Sequence, residues 1–530
     1  MGRGARAPLP RSRRLTGMDP VALAVFANRV NAVCEQMGAV LRRAAFSPNI
    51  RDRLDFSCAL FDAHGELCAQ AAHIPVHLGS MAHAMADVVG TREWRAGDIL
   101  ILNDPFRGGT HLPDVTVIQP LFVGGRLAGF VANRAHHSDI GSASPGSLPL
   151  SDRLKDEGVL IPPTLAGREG RLDPETLAGL TGSMNNPRQV AADFAAQVAA
   201  NRSGLEQLEQ LAGDMGHRTW ESSLAAINDY AERLARSALE NIPDGHYAFT
   251  DWLDDDGFGA RDLPIQLSLE VAGSDVSVDF SGTAAQVRGN VNCPLSVTAA
   301  AVLYVFRCLM PEQTPGAAGA FRPVRIHAEP GSLVHARSPA AVAAGNVETS
   351  SRIVDGVMGA LAQAIPERMA AASQGSMNNV ALGSREDPPW DYYETLGGGT
   401  GASRAGSGLS AVHSHMTNTR NTPVEVVEMS WPLRVRRFAL RRGSGGAGRF
   451  AGGDGLIREY EFLAPAEVSL ITERRNRGAW GLAGGRAGEP GRNLHNERPL
   501  PGKTAFRAVP GDRLRLETPG GGGWGGDSGS

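Results

Sequence analysis

Several features that would mark whole classes of protein are missing from this sequence. No apolar run approaches the length of about 18 residues that a membrane-spanning helix needs, so we expect no membrane association. A formal net charge of −4 gives no electrostatic reason to expect nucleic acid as a partner. Cysteine is scarce and shows no C-x-x-C spacing, which predicts free thiols and a reducing, cytoplasmic location; the residues are Cys34, Cys58, Cys68, Cys293 and Cys308.

Two common catalytic motifs are also missing. There is no G-x-S-x-G nucleophile elbow, and Cys58 and Cys68 lie in apolar, strand-like surroundings where a thiol usually behaves as a small hydrophobic group. No glycine-rich segment has the phosphate-binding form G-x-x-x-x-G-K-[ST]. We therefore interpret the glycine-rich segments as tight turns, and any nucleotide chemistry would have to come from elsewhere in the chain or from a partner.

At 530 residues, the chain is too long for one ordinary hydrophobic core. We predict a mixed, multi-domain α+β protein, with an α/β N-terminal half and a β-rich, Gly-rich C-terminal part. The expected divisions are a disordered basic extension (1–18, with a targeting or binding arm as the alternative), an α+β domain (19–242), a central α/β domain (243–375) and a β-rich domain that ends in a disordered glycine-rich tail (376–530).

Capping residues and hydrophobic periodicity indicate the main elements. Asp19-Pro20 and Asn186-Pro187 each combine an N-cap side chain with proline at the first helical position. The first predicted helix ends near residue 46 and the second near residue 211. Further helices are predicted at 219–240, 295–309 and 348–364, and strands at 56–61, 66–71, 98–102, 115–123, 127–132 and 276–282.

Most of the candidate chemistry lies between Asn103 and Gly141. Two strand-length apolar runs, 115–123 and 127–132, are separated by the turn signal Gly124-Gly125 and predict a hairpin. A hairpin returns the chain to its starting point, so the histidines and carboxylates at its two ends should converge. Imidazole and carboxylate together suit a divalent ion of the zinc, manganese or iron class.

Our preferred metal ligands are His111, Asp114 and His136, since three protein ligands leave a position open for water or substrate. His136 and His137 point to opposite faces of a strand and should not both bind the same ion. His137 and Asp139 are therefore expected to assist the ligands from a second layer. The alternative is that these histidines only make structural hydrogen bonds.

Residues upstream of the hairpin offer further candidates. Asp55 precedes a predicted strand and could be a fourth ligand or a general base, although structural capping is an equal alternative. His73 and His77 could be structural or could line a substrate site. Asp104, beside Pro105, is more simply explained as a residue that stabilises a turn.

Many separate segments together resemble one known family. They are RLDFSCALFD (53–62), HIPVHLGSM (73–81), GDILILNDPFRGGTHLPD (97–114), NRAHHSDIG (133–141), DEGVLIPP (156–163), NNPRQVAAD (185–193), GNVETSSRIVD (345–355), GGGTGA (397–402) and TPGGGGWG (518–525). Their order and spacing resemble the hydantoinase B/oxoprolinase family, which includes proteins of the N-methylhydantoinase B type and of the acetone carboxylase type. The sequence departs from the usual pattern at Ser142, where family members often have a second glycine after Gly141.

This resemblance implies an ATP-dependent amidohydrolase that acts on cyclic amides. In such systems a hydantoinase A-type partner holds ATP and phosphorylates the amide, and the hydantoinase B-type component carries a divalent metal and completes the hydrolysis. The family's metal ligands correspond here to His111, Asp114 and His136. Asp55 or Asp139 would accept the proton from water, His137 would assist, and amides of a glycine loop would hold the oxyanion. A hetero-oligomer is therefore expected.

Two alternatives remain at this stage. Within the same family, the chain could be a component of an ATP-dependent ketone carboxylase of the acetone type. In another class of protein, it could be a non-catalytic scaffold that binds its partner. A pure scaffold has no need of a convergent set of ligands, so the retained His111, Asp114 and His136 favour the enzyme.

Overall fold

The fold comes from a computed structural model, which describes residues 18–526 apart from 73, 78, 143, 387 and 388. The predicted disordered extension therefore lies outside the described residues, except for Met18. Within the described part of the chain, no helix is both long and apolar enough to cross a membrane.

The predicted helix starts are confirmed. The Asp19 carboxylate accepts a hydrogen bond from the Ala22 amide, and the Asn186 side chain accepts one from the Gln189 amide. The helices are α1 (Pro20–Ala44), α2 (Pro48–Arg51), α3 (Ser80–Val88), α4 (Pro174–Thr181), α5 (Pro187–Met215), α6 (His217–Leu239), α7 (Leu295–Leu309), α8 (Ser350–Ala364) and α9 (Val424–Ser430).

A seven-stranded antiparallel sheet forms the N-terminal part, in the order β2-β1-β5-β4-β3-β6-β7. Its central hairpin is the predicted one, and the turn glycines Gly124 and Gly125 both have positive φ. The strands are β1 (Phe56–Phe61), β2 (Leu67–Ala72), β3 (Ile99–Leu102), β4 (Asp114–Val123), β5 (Arg126–His136), β6 (Thr164–Arg168) and β7 (Arg171–Leu172).

Both faces of this sheet are covered, which explains why its strands are apolar almost throughout. On β1, Phe56, Cys58 and Leu60 join the hydrophobic cluster that includes α1 and residues of α5. Ala59 and Phe61 face the other way and pack with α3. The thiol of Cys58 is buried, and this burial raises its pKa well above the usual value, as expected for an inert core residue.

A four-stranded sheet follows, in the order β11-β10-β9-β8, with α8 packed on β8 and β9. Strands β10 and β11 are parallel, whereas the other pairs are antiparallel. The strands are β8 (Gly245–Asp255), β9 (Arg261–Ala272), β10 (Asp275–Asp279) and β11 (Val324–His327). A π-helical turn (Gly345–Thr349) leads into α8.

The C-terminal part contains two further sheets, ordered β13-β12-β16-β19 and β14-β15-β20-β17-β18. Together with the elements above, they confirm a mixed α+β fold. The strands are β12 (Asn379–Ser384), β13 (Trp390–Glu394), β14 (Leu433–Arg441), β15 (Gly455–Phe462), β16 (Ala466–Ile471), β17 (Arg492–His495), β18 (Arg498–Leu500), β19 (Lys503–Ala508) and β20 (Arg513–Glu517).

The strands of each sheet come from one of the stretches that we predicted as domains. The largest hydrophobic cluster of the described residues nevertheless extends from Leu23 through the seven-stranded sheet and the sheet of β8 to β11 as far as Ile471. The division into separately packed domains therefore stays a prediction.

The expectation of a disordered glycine-rich tail is wrong for residues 518–526. The Gly521 amide donates to the Gly453 carbonyl, and the Gly522 amide donates to that of Ala372. A Cβ added to Gly521 would lie 2.0 Å from the Thr400 carbonyl oxygen, so only glycine allows this approach. The tail lacks apolar side chains, but it is held by backbone hydrogen bonds in a glycine layer, which we define as residues 397–402, 444–455, 478–488 and 518–526.

Candidate metal centre

His111, Asp114 and His136 come together at the open end of the β4–β5 hairpin, as predicted. Asp114 Oδ1 lies 3.2 Å from His111 Nε2 and 3.0 Å from His136 Nδ1. The two histidine nitrogens are 3.2 Å apart. All three side chains are buried, so this cluster is shielded from bulk water. We call these three residues the triad.

Local structure explains this convergence. Asp114 is the first residue of β4 and pairs with His136, the last residue of β5, across the antiparallel ladder. His111 lies one turn earlier, with its carbonyl accepting a hydrogen bond from the Asp114 amide. His111 Nδ1 lies 3.2 Å from the Ala343 carbonyl oxygen, which can only accept, so Nδ1 carries a proton and Nε2 faces Asp114 and His136.

The donor set of the triad fits a divalent ion. Two imidazole nitrogens and a carboxylate oxygen lie within 4.8 Å of one another. Burial raises the pKa of Asp114, but attraction to His111 and hydrogen bonds from His111, His136 and His77 outweigh it and hold this pKa well below its usual range. The carboxylate is therefore ionised, as a metal ligand must be.

A small cavity of about 30 Å³ adjoins the triad. Its walls come from segments that are far apart in sequence, and no glycine is among the lining residues, so the predicted glycine-loop oxyanion hole is not found here. Besides the triad, the lining residues are Asp55, Ile74, Val76, Asn346, Val347, Met377, Tyr393, Thr395, Met416, Thr417 and Thr419.

Polar and aromatic neighbours hold the triad from two sides. Asn346, in the π-helical turn before α8, places its side-chain amide 3.3 Å from Asp114 Oδ2. The ring of Tyr393 stacks on His136, with centroids 5.6 Å apart and planes 15° apart. The Tyr393 hydroxyl in turn donates to the Asn379 side chain. These contacts restrict the orientations of Asp114 and His136.

Asp55 and His77, both candidates from the sequence, lie beside the triad. The Asp55 side chain lines the cavity, and its backbone carbonyl accepts a hydrogen bond from the His136 amide. His77 Nδ1 is 3.0 Å from Ser57 Oγ, and its Nε2 is 3.5 Å from Asp114 Oδ2. His73 lies outside the described residues. The structure thus places Asp55 and His77 next to the candidate ligands and leaves their chemical roles as predictions.

His137 and Asp139 are not among the residues that line the cavity, and the roles that we predicted for them stay predictions. His137 Nε2 lies 2.9 Å from Gln197 Oε1, and its ring packs against Phe194 of α5. Burial lowers its pKa. The Asp139 carboxylate accepts hydrogen bonds from the Asn186 amide and the Asn185 side chain, and so anchors the start of α5. Both residues follow the end of β5, and these hydrogen bonds connect them to α5 and to the residues at its start.

Several cavity residues escaped the sequence analysis. Tyr393, Thr395, Met416, Thr417 and Thr419 lie more than 250 residues after the hairpin, and nothing in their spacing indicates a contact with it. The available signal was the polar run HSHMTNTRNTP (413–423), which has neither helical nor strand periodicity. A long polar segment of this kind in a folded chain is a candidate for part of a site.

Comparisons with known proteins identify the family of this mixed α+β chain. The sequence profile of the family Hydantoinase B/oxoprolinase matches residues 19–527. The chain belongs to this family.

Two relatives and one solved structure show which proteins this chain resembles over most of its length. A 5-oxoprolinase of Dictyostelium discoideum is 37% identical over 96% of this chain, which spans only 40% of that protein. The B component of a putative D-/L-hydantoinase from a Pseudomonas species is 32% identical, with 96% of this chain and 90% of that protein covered. The crystal structure of an ATP-dependent caprolactamase from Pseudomonas jessenii superimposes with a TM-score of 0.90 at 28% identity, covering 96% of this chain and 92% of the other.

Proposed function

We propose that this chain is the metal-bearing component, of the hydantoinase B type, of an ATP-dependent hydrolase of cyclic amides. The observation that carries the proposal is the buried convergence of His111, Asp114 and His136. The caprolactamase is ATP-dependent, and the relative of 32% identity is one component of a putative hydantoinase. Both similarities cover nearly the whole chain. These likenesses support a hydrolase of the same general type, and the substrate class, the metal and the partner are our proposals.

In the proposed reaction the triad would hold a divalent ion of the zinc, manganese or iron class. When bound, such an ion supplies Lewis acidity and lowers the pKa of water toward neutrality. Asp55, on the wall of the same cavity, would accept the proton from the attacking water. Tyr393 and Asn346 would keep His136 and Asp114 in position during turnover.

ATP would act in a separate partner of the hydantoinase A type. An amide is a poor electrophile, and phosphorylation of its oxygen converts that oxygen into a leaving group. No segment of this chain has the phosphate-binding form G-x-x-x-x-G-K-[ST], which supports a division of labour between two proteins. We therefore propose a hetero-oligomer in which the activated amide reaches the triad from the partner.

The cavity also implies movement. A volume of about 30 Å³ has room for one or two water molecules and not for a ring. A cyclic substrate would therefore require the wall formed by Met416 and Thr417 to move outward. These two residues belong to a segment without helix or strand, which makes it the simplest part of the wall to displace.

The deciding experiment is an activity screen with the co-expressed A-type partner. Phosphate release from ATP is measured with 5-oxoproline, hydantoins and lactams in one set of reactions, and with acetone plus bicarbonate in another. We expect amide-dependent ATP hydrolysis and ring opening, both lost in His111→Ala. Turnover only with the ketone would identify a carboxylase instead. An inactive complex that holds no divalent ion, even after soaking, would indicate a scaffold.

A further inference from the structure

We propose that Arg53, Thr395 and Thr419 form an oxyanion-binding subsite beside the triad, suited to a phosphate group. In the proposed function this subsite would hold the phosphoryl group of the activated amide, so its assignment to that ligand rests on the proposed function. The binding of an oxyanion can be measured separately, without any turnover.

Arg53 is an unusual buried cation. Its side chain is 2% exposed. Its Nη1 donates to the carbonyl of Tyr393 at 3.1 Å and to the Asn49 side chain at 3.3 Å. Its Nη2 lies 3.2 Å from Thr395 Oγ1 and, in a longer contact, 3.5 Å from Thr419 Oγ1. All these acceptors are neutral, and Nε has no hydrogen-bond partner among the described residues.

Three other buried arginines in the described chain, Arg352, Arg458 and Arg474, each have a carboxylate within 4 Å. Arg474 pairs with Asp355 at 2.7 Å, and Arg352 has Glu473 at 3.4 Å. Arg134 also has only neutral acceptors, but each of its three guanidinium nitrogens donates a hydrogen bond. Arg53 forms no ion pair with a described carboxylate. Burial of an unpaired charge is costly, so an anionic ligand would stabilise this arrangement.

The partners of Arg53 connect it to the cavity. Thr395 and Thr419 both line the cavity, and their hydroxyl oxygens are 2.7 Å apart. The guanidinium lies over the ring of Tyr393, 4.7 Å from its centroid, and this ring also stacks on His136. Two hydroxyl groups therefore lie on the wall of the cavity, and the guanidinium of Arg53 lies directly behind them. Arginine and hydroxyl donors in this combination are well suited to a phosphate group.

The charge around the cavity also favours an anion. With a divalent ion on the triad, the ion and Arg53 together would exceed the carboxylates of Asp55 and Asp114 by one positive charge. Glu348 lies behind the wall, where its carboxylate accepts a hydrogen bond from the Met377 amide. Burial raises the pKa of Glu348 to about 7, so its negative charge is only partly present at neutral pH. An oxyanion would neutralise the remaining excess of positive charge.

The size of the cavity limits how the ligand can enter. A volume of about 30 Å³ admits the leading oxygen of a phosphate group in place of water. The complete group requires the same outward movement of Met416 and Thr417 that a cyclic substrate does. Binding of phosphate should therefore be accompanied by a change in this segment.

The test is calorimetric titration of inorganic phosphate into the purified full chain, together with its partner if the two co-purify. The protein is first loaded with a divalent ion and freed of the unbound excess, so that the cavity has the net positive charge counted above, and the comparison with the Arg53 variants separates the contribution of the arginine from that of the ion. We expect saturable binding that Arg53→Gln weakens about tenfold to a hundredfold, as expected for the loss of a charge-assisted hydrogen bond. Arg53→Lys should recover part of the affinity. Acetate, titrated in parallel, should bind more weakly if the subsite is suited to a tetrahedral anion.

Arg51→Gln is the matched control, since Arg51 is an exposed arginine two residues away that pairs with Asp52. Its phosphate affinity should equal that of the unmodified protein. Absence of saturable phosphate binding, or equal affinity in a folded Arg53→Gln variant, would overturn the inference. If Arg53→Gln does not fold, the phosphate affinities of Thr395→Val and Thr419→Val test the inference instead. Unchanged phosphate affinity in both variants would reject the subsite. Phosphate binding without any amide turnover would retain the subsite and reject the proposed function.

Discussion

Asp114 and His136 face each other as a register pair at the open end of the β4–β5 hairpin, with Asp114 Oδ1 3.0 Å from His136 Nδ1. This pairing links a structural property, the register of two strands, to the geometry of the candidate metal centre. A one-residue slip of the hairpin would turn one of these side chains to the opposite face of the sheet and abolish the site. The register is held by the Gly124-Gly125 turn and by apolar burial on both faces.

Loss of a triad residue should remove the metal. We expect His111→Ala and Asp114→Asn to lower the affinity for a divalent ion by at least about tenfold, because each removes one of three ligands or its charge. Elemental analysis after dialysis measures the effect. His64→Ala, at an exposed histidine, is the control and should keep the metal content of the unmodified protein. Full metal content in both triad variants would contradict the assignment.

Replacement of His137 should separate folding from metal binding. His137→Ala leaves a cavity against Phe194 and removes the hydrogen bond to Gln197, so we expect a loss of about 2–4 kcal/mol in the free energy of unfolding. Metal content of the folded variant should be unchanged. Urea unfolding and elemental analysis test the two expectations. Loss of metal from a folded His137→Ala protein would support the predicted role of His137 beside the ligands.

Stability should depend on pH through Glu157. Burial raises the pKa of Glu157 from 4.5 to about 7, against hydrogen bonds from the amides of Val342 and Ala343 and from Ser151. Because the folded state holds this proton more tightly, the contribution of Glu157 to stability is largest at low pH and is lost as the pH rises from 4.5 through 7.

The Glu157→Gln variant isolates this contribution, since glutamine does not ionise. The unfolding free energy of the unmodified protein minus that of the variant should fall by about 3 kcal/mol between pH 5 and pH 8. Urea unfolding at several pH values gives this difference directly. A difference that stays constant over the range would show that Glu157 ionises at the same pH in both states.

The glycine layer should be intolerant of side chains. In Gly521→Ala the new Cβ would meet the Thr400 carbonyl oxygen at 2.0 Å, and we expect a loss of about 3 kcal/mol or more in the free energy of unfolding. Gly526→Ala is the control, because no atom lies within 4 Å of its added Cβ, and it should change stability by less than about 0.5 kcal/mol. Similar melting temperatures for the two variants would contradict the close packing.

The part of the site that the sequence predicted is local. His111, Asp114 and His136 belong to one hairpin, so strand periodicity and a turn signal were enough to bring them together. Tyr393 and Thr419 reach the same cavity from the C-terminal part, and their position depends on how whole sheets pack. The resemblance to the family pointed to the same triad but carried no information on these cavity residues.

The differences between the expected and the observed arrangement have physical causes as well. His137 and Asp139 were grouped with the ligands because they are close in sequence, yet the polar partners Gln197 and Asn186 on the far side of the sheet satisfy them. The tail was interpreted as disordered because it contains so little apolar surface. Apolar burial is only one route to order, and segments rich in glycine can be held by hydrogen bonds between closely approaching backbones.

The order in which the chain is synthesised gives the glycine layer a further consequence. Residues 518–526 lie among strands of backbone that leave the ribosome long before them, including Thr400 and Gly453. The N-terminal sheet can fold during translation, since its strands all precede residue 173. The earlier glycine segments can pair with one another, as Gly453 does with Thr400, but the hydrogen bonds to residues 518–526 cannot form until this last segment has emerged, so these are the last contacts of the layer to close.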